Sequence, residues 1–201
     1  NKVSDVYIKG LRFFGCTVRL RDASRTVVEQ CDIRFPACTT MIGESMPKTE
    51  RFMTPATGVD GSDNTLKGLY VAYASGDGIT AAGFNNRVED CVVHDVGWFG
   101  TIDHAGIAIR HDKRDPTQST VRHCTVYNVG NIGIRYYGGP TVVEYCHVHH
   151  TGLACHDIAA IHTGSPATTG SVSRYNWVHD SKGLGMRGDD QTRGLIVHQN
   201  L

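Results

Sequence analysis

The sequence predicts an all-β solenoid in which short strands wind into stacked coils. The first observation is a motif of the form Val-x-x-Cys-x-Val, which recurs at 88–93, 121–126 and 143–148. The second is an apolar-x-apolar triplet in successive repeats, as at 107–109, 132–134 and 184–186, whose period-two alternation is typical of a strand with one buried face. The third is the wealth of Val, Ile and Thr with 23 Gly, which indicates many short strands and many turns.

The Cys position of the motif defines a ladder that runs through the chain. Its predicted members are Leu11, Cys31, Leu69, Cys91, Cys124, Cys146, Asn176 and Asn200. The shortest intervals are 20 to 24 residues, and longer ones are explained by loop insertions. Each coil then has one strand before the ladder turn, one after it and a third at the apolar-x-apolar triplet. Three stacked strands per coil make a parallel β-helix.

We therefore predict a right-handed, single-stranded parallel β-helix of seven to eight coils over residues 1–201, with a loop excursion at about 36–63. Neither end of the sequence has the character of a capping repeat, so we expect this chain to be part of a longer β-helix. The ladder residues are expected to be small core-facing groups rather than redox or metal-binding ones.

Composition argues against several classes of partner. The 20 Lys and Arg residues balance 20 Asp and Glu, so net charge offers no basis for binding nucleic acid or a membrane surface. The longest apolar runs are too short to cross a bilayer. The seven Cys residues are odd in number and fit neither zinc-site spacing nor a compact disulfide framework. We expect a monomer.

Three segments carry a resemblance to known β-helix proteins. They read HDIAAIHTG at 156–164, RYNWVHD at 174–180 and GDD at 188–190. With the coil pattern, they resemble the pectate-lyase-like superfamily and, more specifically, bacterial proteins of glycoside hydrolase family 141 and its relatives. The resemblance implies carbohydrate chemistry in a groove along the first strand of each coil, in an extracellular or periplasmic protein whose signal peptide is not part of this sequence.

A basic column is predicted on the groove floor. Aligning the apolar-x-apolar triplets places the following residues in one column: Arg21, Gly43, Thr80, Arg110, Arg135, His162 and Arg187. Like charges in a stack need counter-charges, and Arg suits a uronate carboxylate or a sulfate. The alternative is a surface ladder neutralised by neighbouring Asp and Glu.

Paired carboxylates are the candidates for catalysis, because glycosidases use two of them. Asp157 lies just before one groove strand, while Asp189 and Asp190 lie at the end of the next; the alternative for the last two is a solvated turn after Gly188.

The predicted substrate-binding residues are His104, Arg110, Arg135, Tyr136, Tyr137, His156, His162 and Arg187. No metal site and no cofactor are predicted, although a divalent cation such as calcium would be compatible with the groove. His94, His149 and His179 form a separate column with Tyr127, for which structural stacking is favoured over function.

The leading functional prediction is a glycoside hydrolase that uses paired Asp residues to cleave a polysaccharide or oligosaccharide, with an acidic glycan as one option for the substrate. A polysaccharide lyase is the first alternative, because His and Arg could abstract a proton beside a uronate carboxylate and neutralise that carboxylate. A non-catalytic glycan-binding or adhesin module is the second alternative. A sugar epimerase is possible on the same fold, although the sequence has no motif specific to one.

Overall fold

The computed structural model describes residues 2–36, 56–98, 104–111, 117–165 and 168–201. The first eight strands are β1 (Val3–Ser4), β2 (Tyr7–Lys9), β3 (Arg12–Phe14), β4 (Arg19–Ser24), β5 (Val27–Glu29), β6 (Asp32–Arg34), β7 (Thr57–Ser62) and β8 (Thr65–Lys67). The next eight are β9 (Tyr70–Ala72), β10 (Ile79–Phe84), β11 (Arg87–Glu89), β12 (Val92–Val96), β13 (Ala105–His111), β14 (Ser119–Arg122), β15 (Thr125–Val129) and β16 (Ile132–Tyr137). The last seven are β17 (Thr141–Glu144), β18 (His147–Thr151), β19 (Ala159–Gly164), β20 (Val172–Arg174), β21 (Trp177–Ser181), β22 (Leu184–Asp189) and β23 (Ile196–His198).

Every third strand along the chain joins the same sheet. Sheet 1 contains eight strands in the order β1-β4-β7-β10-β13-β16-β19-β22, and sheet 2 contains eight from β2 to β23 in the same manner. Sheet 3 contains seven, from β3 to β21. All recorded strand pairs are parallel, for example β10 with β13 and β16 with β19. The predicted parallel β-helix of seven to eight coils is confirmed.

The core is a continuous stack of β-branched and aliphatic side chains from the inward positions of the three sheets. On sheet 1, Ile79, Ile107, Ile134 and Ile161 are paired across successive strands and buried. Val fills most of the equivalent inward positions on the other two sheets, with Leu66 and Ile33 among the exceptions. This packing follows from the period-two alternation in the sequence, because every second side chain of a strand faces the interior.

The Cys and Asn ladder lies where sheet 2 turns into sheet 3, as predicted. Cys91, Cys124, Cys146 and Asn176 are all buried. The Cys146 N–H donates to Asn176 Oδ1 (3.0 Å), and the Asn176 N–H donates to Asn200 Oδ1 (2.9 Å). The buried amide thus satisfies backbone groups of the coil before it, which supports a structural role.

A second polar ladder lies where sheet 1 turns into sheet 2. The Thr26 N–H donates to Asn64 Oδ1 (3.0 Å), and the Asn64 N–H donates to Asn86 Oδ1 (3.1 Å). The Asn86 N–H donates in turn to Ser119 Oγ (3.2 Å), and the Thr141 N–H to Ser171 Oγ (3.0 Å). These side chains occupy the buried corner of each coil and satisfy backbone donors that no strand pairing reaches.

The predicted excursion at 36–63 is too long at its C-terminal end. Residues 57–62 form β7, a regular strand of sheet 1 that is paired with both β4 and β10. Its run Thr-Gly-Val-Asp-Gly-Ser has few apolar residues, so its strand character comes from its two neighbours rather than from its own pattern. Residues 37–55, including Gly43 of the predicted basic column, lie outside the described residues. Within the described ranges, no helix is long and apolar enough to cross a membrane.

Candidate active site

A column of basic side chains stands on the outward face of sheet 1. Arg135 on β16 pairs with His162 on β19, and His162 pairs with Arg187 on β22. The predicted alignment of these three residues is confirmed. Their side chains leave the same face because each occupies the position after an inward Ile or Met of its strand.

Arg110 is not in this column, contrary to the prediction. Ala108 is the residue paired with Arg135, and Arg110 lies two positions further along β13. On β4, Arg19 rather than Arg21 aligns with the column, next to a local register shift. A slip of two residues leaves every side chain on its expected face, so alternation alone cannot detect it.

Arg187 brings two of the predicted carboxylates together. One of its terminal nitrogens donates to Asp157 Oδ1, and the other contacts Asp189 Oδ2, both at 2.5 Å. Asp157 precedes β19 and Asp189 ends β22, so the two carboxylates come from opposite ends of adjacent strands and meet at one guanidinium. His162 Nε2 lies 3.9 Å from the same Asp189 oxygen.

The charge state of Asp157 follows from this contact. The hydrogen bond from Arg187, its positive charge and the nearby His162 together lower the pKa of Asp157 below its usual value, against a smaller opposing effect of burial. The two carboxylates likewise raise the pKa of Arg187. Asp157 is therefore an ionised carboxylate at neutral pH, suited to act as a base or nucleophile rather than as a proton donor.

Asp190 is placed differently from the other two carboxylates. It occupies a left-handed turn after β22 (φ 47°), and its backbone N–H donates to Asp189 Oδ1 (2.9 Å). Its Oδ2 lies 3.0 Å from the point where a β-carbon on Gly164 would stand, so glycine there leaves room for the carboxyl group. Among the described residues, no ion pair within 4.0 Å joins Asp190 to Arg187.

A pocket of about 350 Å³ opens beside this cluster on sheet 1. It is lined by Arg110, His111, Arg135, Tyr137, Gly138, Gly164 and Ser165. Gly164 pairs with Asp189 across the sheet, so the pocket and the carboxylates share a wall. The Arg135 side chain is 3% exposed overall, and its guanidinium lies 4.1 Å from the Tyr137 ring centroid. Two arginines at one pocket favour an anionic group as its occupant.

Asp77 is a member of the site region that sequence reasoning missed. It is buried ahead of β10 and accepts hydrogen bonds from the Ala105 N–H (2.8 Å) and from Arg110 (3.0 Å), while His104 Nδ1 lies 3.4 Å away. Burial alone would raise the pKa of Asp77, but His104, Arg110 and the Ala105 N–H together lower it. In sequence it stands between two glycines, where an Asp is most readily interpreted as a turn residue.

Five of the eight predicted substrate-binding residues do not line this pocket: His104, which is buried, Tyr136, His156, His162 and Arg187. Tyr136 is 1% exposed and points into the core, where burial raises the pKa of its hydroxyl. Its prediction as a substrate-binding residue is wrong, because it occupies the inward position paired with Ile109. His156 is exposed, and no hydrogen bond or ion pair within the described part of the chain connects it to the other candidates. Tyr137 and His162 remain predictions as substrate contacts.

Asp77, Asp157 and Asp189 each contact a cationic side chain of the protein. Among the residues that the structure describes, no group of three or more His, Cys, Asp or Glu has the geometry of a metal site. The compatibility of the groove with calcium is therefore still an untested expectation.

Comparison with known proteins agrees with this architecture. Residues 57–201 match the family described as a right-handed β-helix region. A search of curated proteins gives no match. Solved structures that share the fold include the A-module of the mannuronan C-5 epimerase AlgE6 from Azotobacter vinelandii (TM-score 0.53, 10% identity) and a glycoside hydrolase (TM-score 0.53, 14% identity).

Both structures are longer than this chain. The match to the epimerase module covers 98% of this chain and 56% of the module, and the match to the hydrolase covers 92% of this chain and 38% of that protein. At these identities the likeness shows the fold alone.

Proposed function

Because this chain belongs to the right-handed β-helix family, we propose that the outward face of its sheet 1 binds and cleaves an anionic polysaccharide as a glycoside hydrolase. The observation that carries the proposal is the Arg110 and Arg135 pocket beside carboxylates that meet at Arg187. The two structural neighbours named above are a mannuronan C-5 epimerase module and a glycoside hydrolase, which is consistent with this role. We further propose an extracellular or periplasmic monomer.

Substrate binding would begin at the pocket. A uronate or sulfated sugar would place its anion near Arg110 and Arg135, replacing water with charge-assisted hydrogen bonds. Tyr137 would contribute an aromatic surface beside them. The chain of the polysaccharide would then run across the strands, over Gly164, toward Arg187.

The different environments of Asp157, Asp189 and Asp190 suit them to different catalytic roles. Asp157, held ionised by Arg187, would act as base or nucleophile. The proton donor must stay protonated until the leaving oxygen needs its proton, which an ion pair with Arg opposes. Among the described residues, Asp190 forms no ion pair with Arg187 within 4.0 Å, and it lies in the turn beside Gly164, so we assign it as the second catalytic carboxylate and give Asp189 the task of orienting Arg187 and His162.

The test is release of reducing ends from a panel of neutral, uronate-containing and sulfated polysaccharides. Asp157→Asn and Asp190→Asn should each lower the rate about 10²–10⁴-fold, the usual range for a lost acid or base. Asp60→Asn is a matched control, because Asp60 forms a comparable ion pair with Arg19 (2.8 Å) on the same sheet at the other end of the chain. Equal losses in all three variants, or glycan binding without any cleavage by the wild type, would refute the hydrolase assignment.

A lyase is the second candidate, and the position of His162 favours it. The ring lies between Arg135 and Arg187 in the basic column, with Asp189 within 4 Å of its Nε2. A histidine flanked by arginines could remove the proton beside a uronate carboxylate whose charge they neutralise. An unsaturated uronate detected by its ultraviolet absorbance, abolished by His162→Gln, would establish β-elimination in place of hydrolysis.

A further inference from the structure

The outward face of sheet 3 carries a stack of aromatic rings, on a different sheet from the proposed groove of sheet 1. His94, Tyr127, His149 and His179 are paired on successive strands, as predicted. Their ring centroids are 4.6, 5.2 and 4.9 Å apart, and adjacent planes are within 9° of parallel. Stacking explains this column, but it does not explain the nitrogen contacts made beside it.

His147 and His179 bring two ring nitrogens together across adjacent coils. Their Nε2 atoms are 2.8 Å apart, which is hydrogen-bonding distance. His147 lies on β18 and His179 on β21, and the Trp177 indole stacks on the His147 ring at 4.2 Å. The two rings are thus held facing each other by the sheet and by the indole.

The other nitrogen of His179 is also occupied. His179 Nδ1 lies 2.8 Å from Asp180 Oδ2, so the ring donates its Nδ1–H to a carboxylate. That tautomer leaves the lone pair on Nε2, which points at His147. A carboxylate that orients a histidine in this way is the usual outer contact of a metal-binding imidazole.

We propose that His147 and His179 form a binding site for one divalent transition-metal ion of the zinc and copper class. Both Nε2 atoms would bind the ion, the proton that His147 shares with His179 would move through solvent to His147 Nδ1, and water would complete the coordination. Imidazole nitrogen favours these ions over calcium or magnesium, which prefer oxygen. Metal–nitrogen bonds of about 2.0–2.1 Å require the two nitrogens to separate by only a few tenths of an ångström.

The position of the pair has consequences for metal binding. The site spans two coils, so a bound ion would link β18 to β21 through side chains as well as through the backbone. No third protein ligand completes it among the described residues, which predicts moderate rather than tight affinity.

The experiment uses the untagged chain titrated with Cu²⁺ and, separately, Zn²⁺. Wild-type protein should bind one Cu²⁺ with two imidazole nitrogens in the electron paramagnetic resonance spectrum, and excess Ca²⁺ should not displace it. His179→Ala should weaken binding more than tenfold, and Asp180→Asn about tenfold or more, because loss of an outer carboxylate usually costs 10–100-fold.

His123→Ala is the matched control. His123 also faces a carboxylate, with its Nδ1 3.5 Å from Asp90 Oδ1, but it has no second imidazole opposite it among its recorded contacts. Its loss should leave Cu²⁺ affinity unchanged. A wild-type spectrum with one nitrogen, or equal weakening by His123→Ala and His179→Ala, would overturn the proposal, and the spectrum decides this even if a variant fails to fold.

Discussion

Two glycines at equivalent positions of the coil are expected to respond oppositely to alanine. Gly133 precedes Ile134 on β16 and Gly185 precedes Met186 on β22, and both following residues align with Ile161. A β-carbon at Gly133 would stand 2.5 Å from Val148 Cγ1 and 2.6 Å from the Ala160 carbonyl oxygen. At Gly185 the nearest atom would be 3.8 Å away. Neither glycine has a positive φ, so the difference is one of space. In the 201-residue chain, β16 is followed in sheet 1 by β19, whereas β22 is the last strand of that sheet, so the prediction for Gly185 applies to a chain of this length.

The magnitudes follow from these distances. The Ala160 carbonyl that a β-carbon at Gly133 would meet belongs to the backbone of β19 and can move only with that strand. Gly133→Ala should therefore lower the free energy of unfolding by about 1–3 kcal/mol, the usual range for an overpacked core. Gly185→Ala meets ordinary van der Waals contact and restricts only the unfolded chain, so it should stabilise by about 0.4–1 kcal/mol.

Urea unfolding followed by far-ultraviolet circular dichroism measures both variants against wild type. The denaturation midpoint should fall for Gly133→Ala and rise slightly for Gly185→Ala, with unchanged slopes. If the two midpoints move in the same direction by similar amounts, the register that places Gly133 against Val148 is wrong.

Three further predictions concern single side chains. Tyr136→Ala should lower the unfolding free energy by about 3–5 kcal/mol in urea titrations, whereas Tyr137→Ala should leave it nearly unchanged and weaken glycan binding; the reverse would mean that Tyr136 faces the groove. Asn176→Ala should cost about 2–5 kcal/mol in the same assay, because two buried backbone groups lose their partners; a loss near zero would contradict the ladder. Burial and neighbouring histidines lower the pKa of His149 to about 4 in the folded protein. The unfolded chain, with a His pKa of about 6.5, therefore binds a proton more readily, and the free energy of unfolding should fall as the pH drops from about 6.5 to about 4. His149→Phe should reduce that dependence in thermal melts across this range, and an unchanged slope would refute it.

The coil repeat was predictable because the solenoid places the same chemistry at the same point of every turn. A Cys at 91, 124 and 146 marks the buried corner between two sheets, and the alternation around it marks the inward faces. The turn from sheet 1 to sheet 2 was not recognised, since the accepting side chain is Asn in some coils (Asn64, Asn86) and Ser in others (Ser119, Ser171).

The candidate site was predictable in part. Asp157 and Asp189 were expected on opposite ends of adjacent strands, and both reach Arg187. Tyr136 and Arg110 were misplaced for different reasons. Tyr136 directly follows the outward Arg135, so strand alternation places it inward, in the position that Ile109 fills on β13. Arg110 lies on the expected face but two positions further along its strand, and a slip of two residues leaves the alternation unchanged. Only the paired neighbour on the next coil settles such a register.

The reactivity of the buried cysteines would report local unfolding of the individual coils. Cys31, Cys91, Cys124 and Cys146 each sit in a different coil as free thiols, and Cys16 is exposed. The neighbouring thiols and burial raise the pKa of Cys124, so it is unreactive while its coil is closed. An alkylating reagent would therefore modify Cys16 at once and the others only as their own turns unwind. Mass spectrometry of the labelled peptides would then read the order in which the solenoid comes apart along its axis.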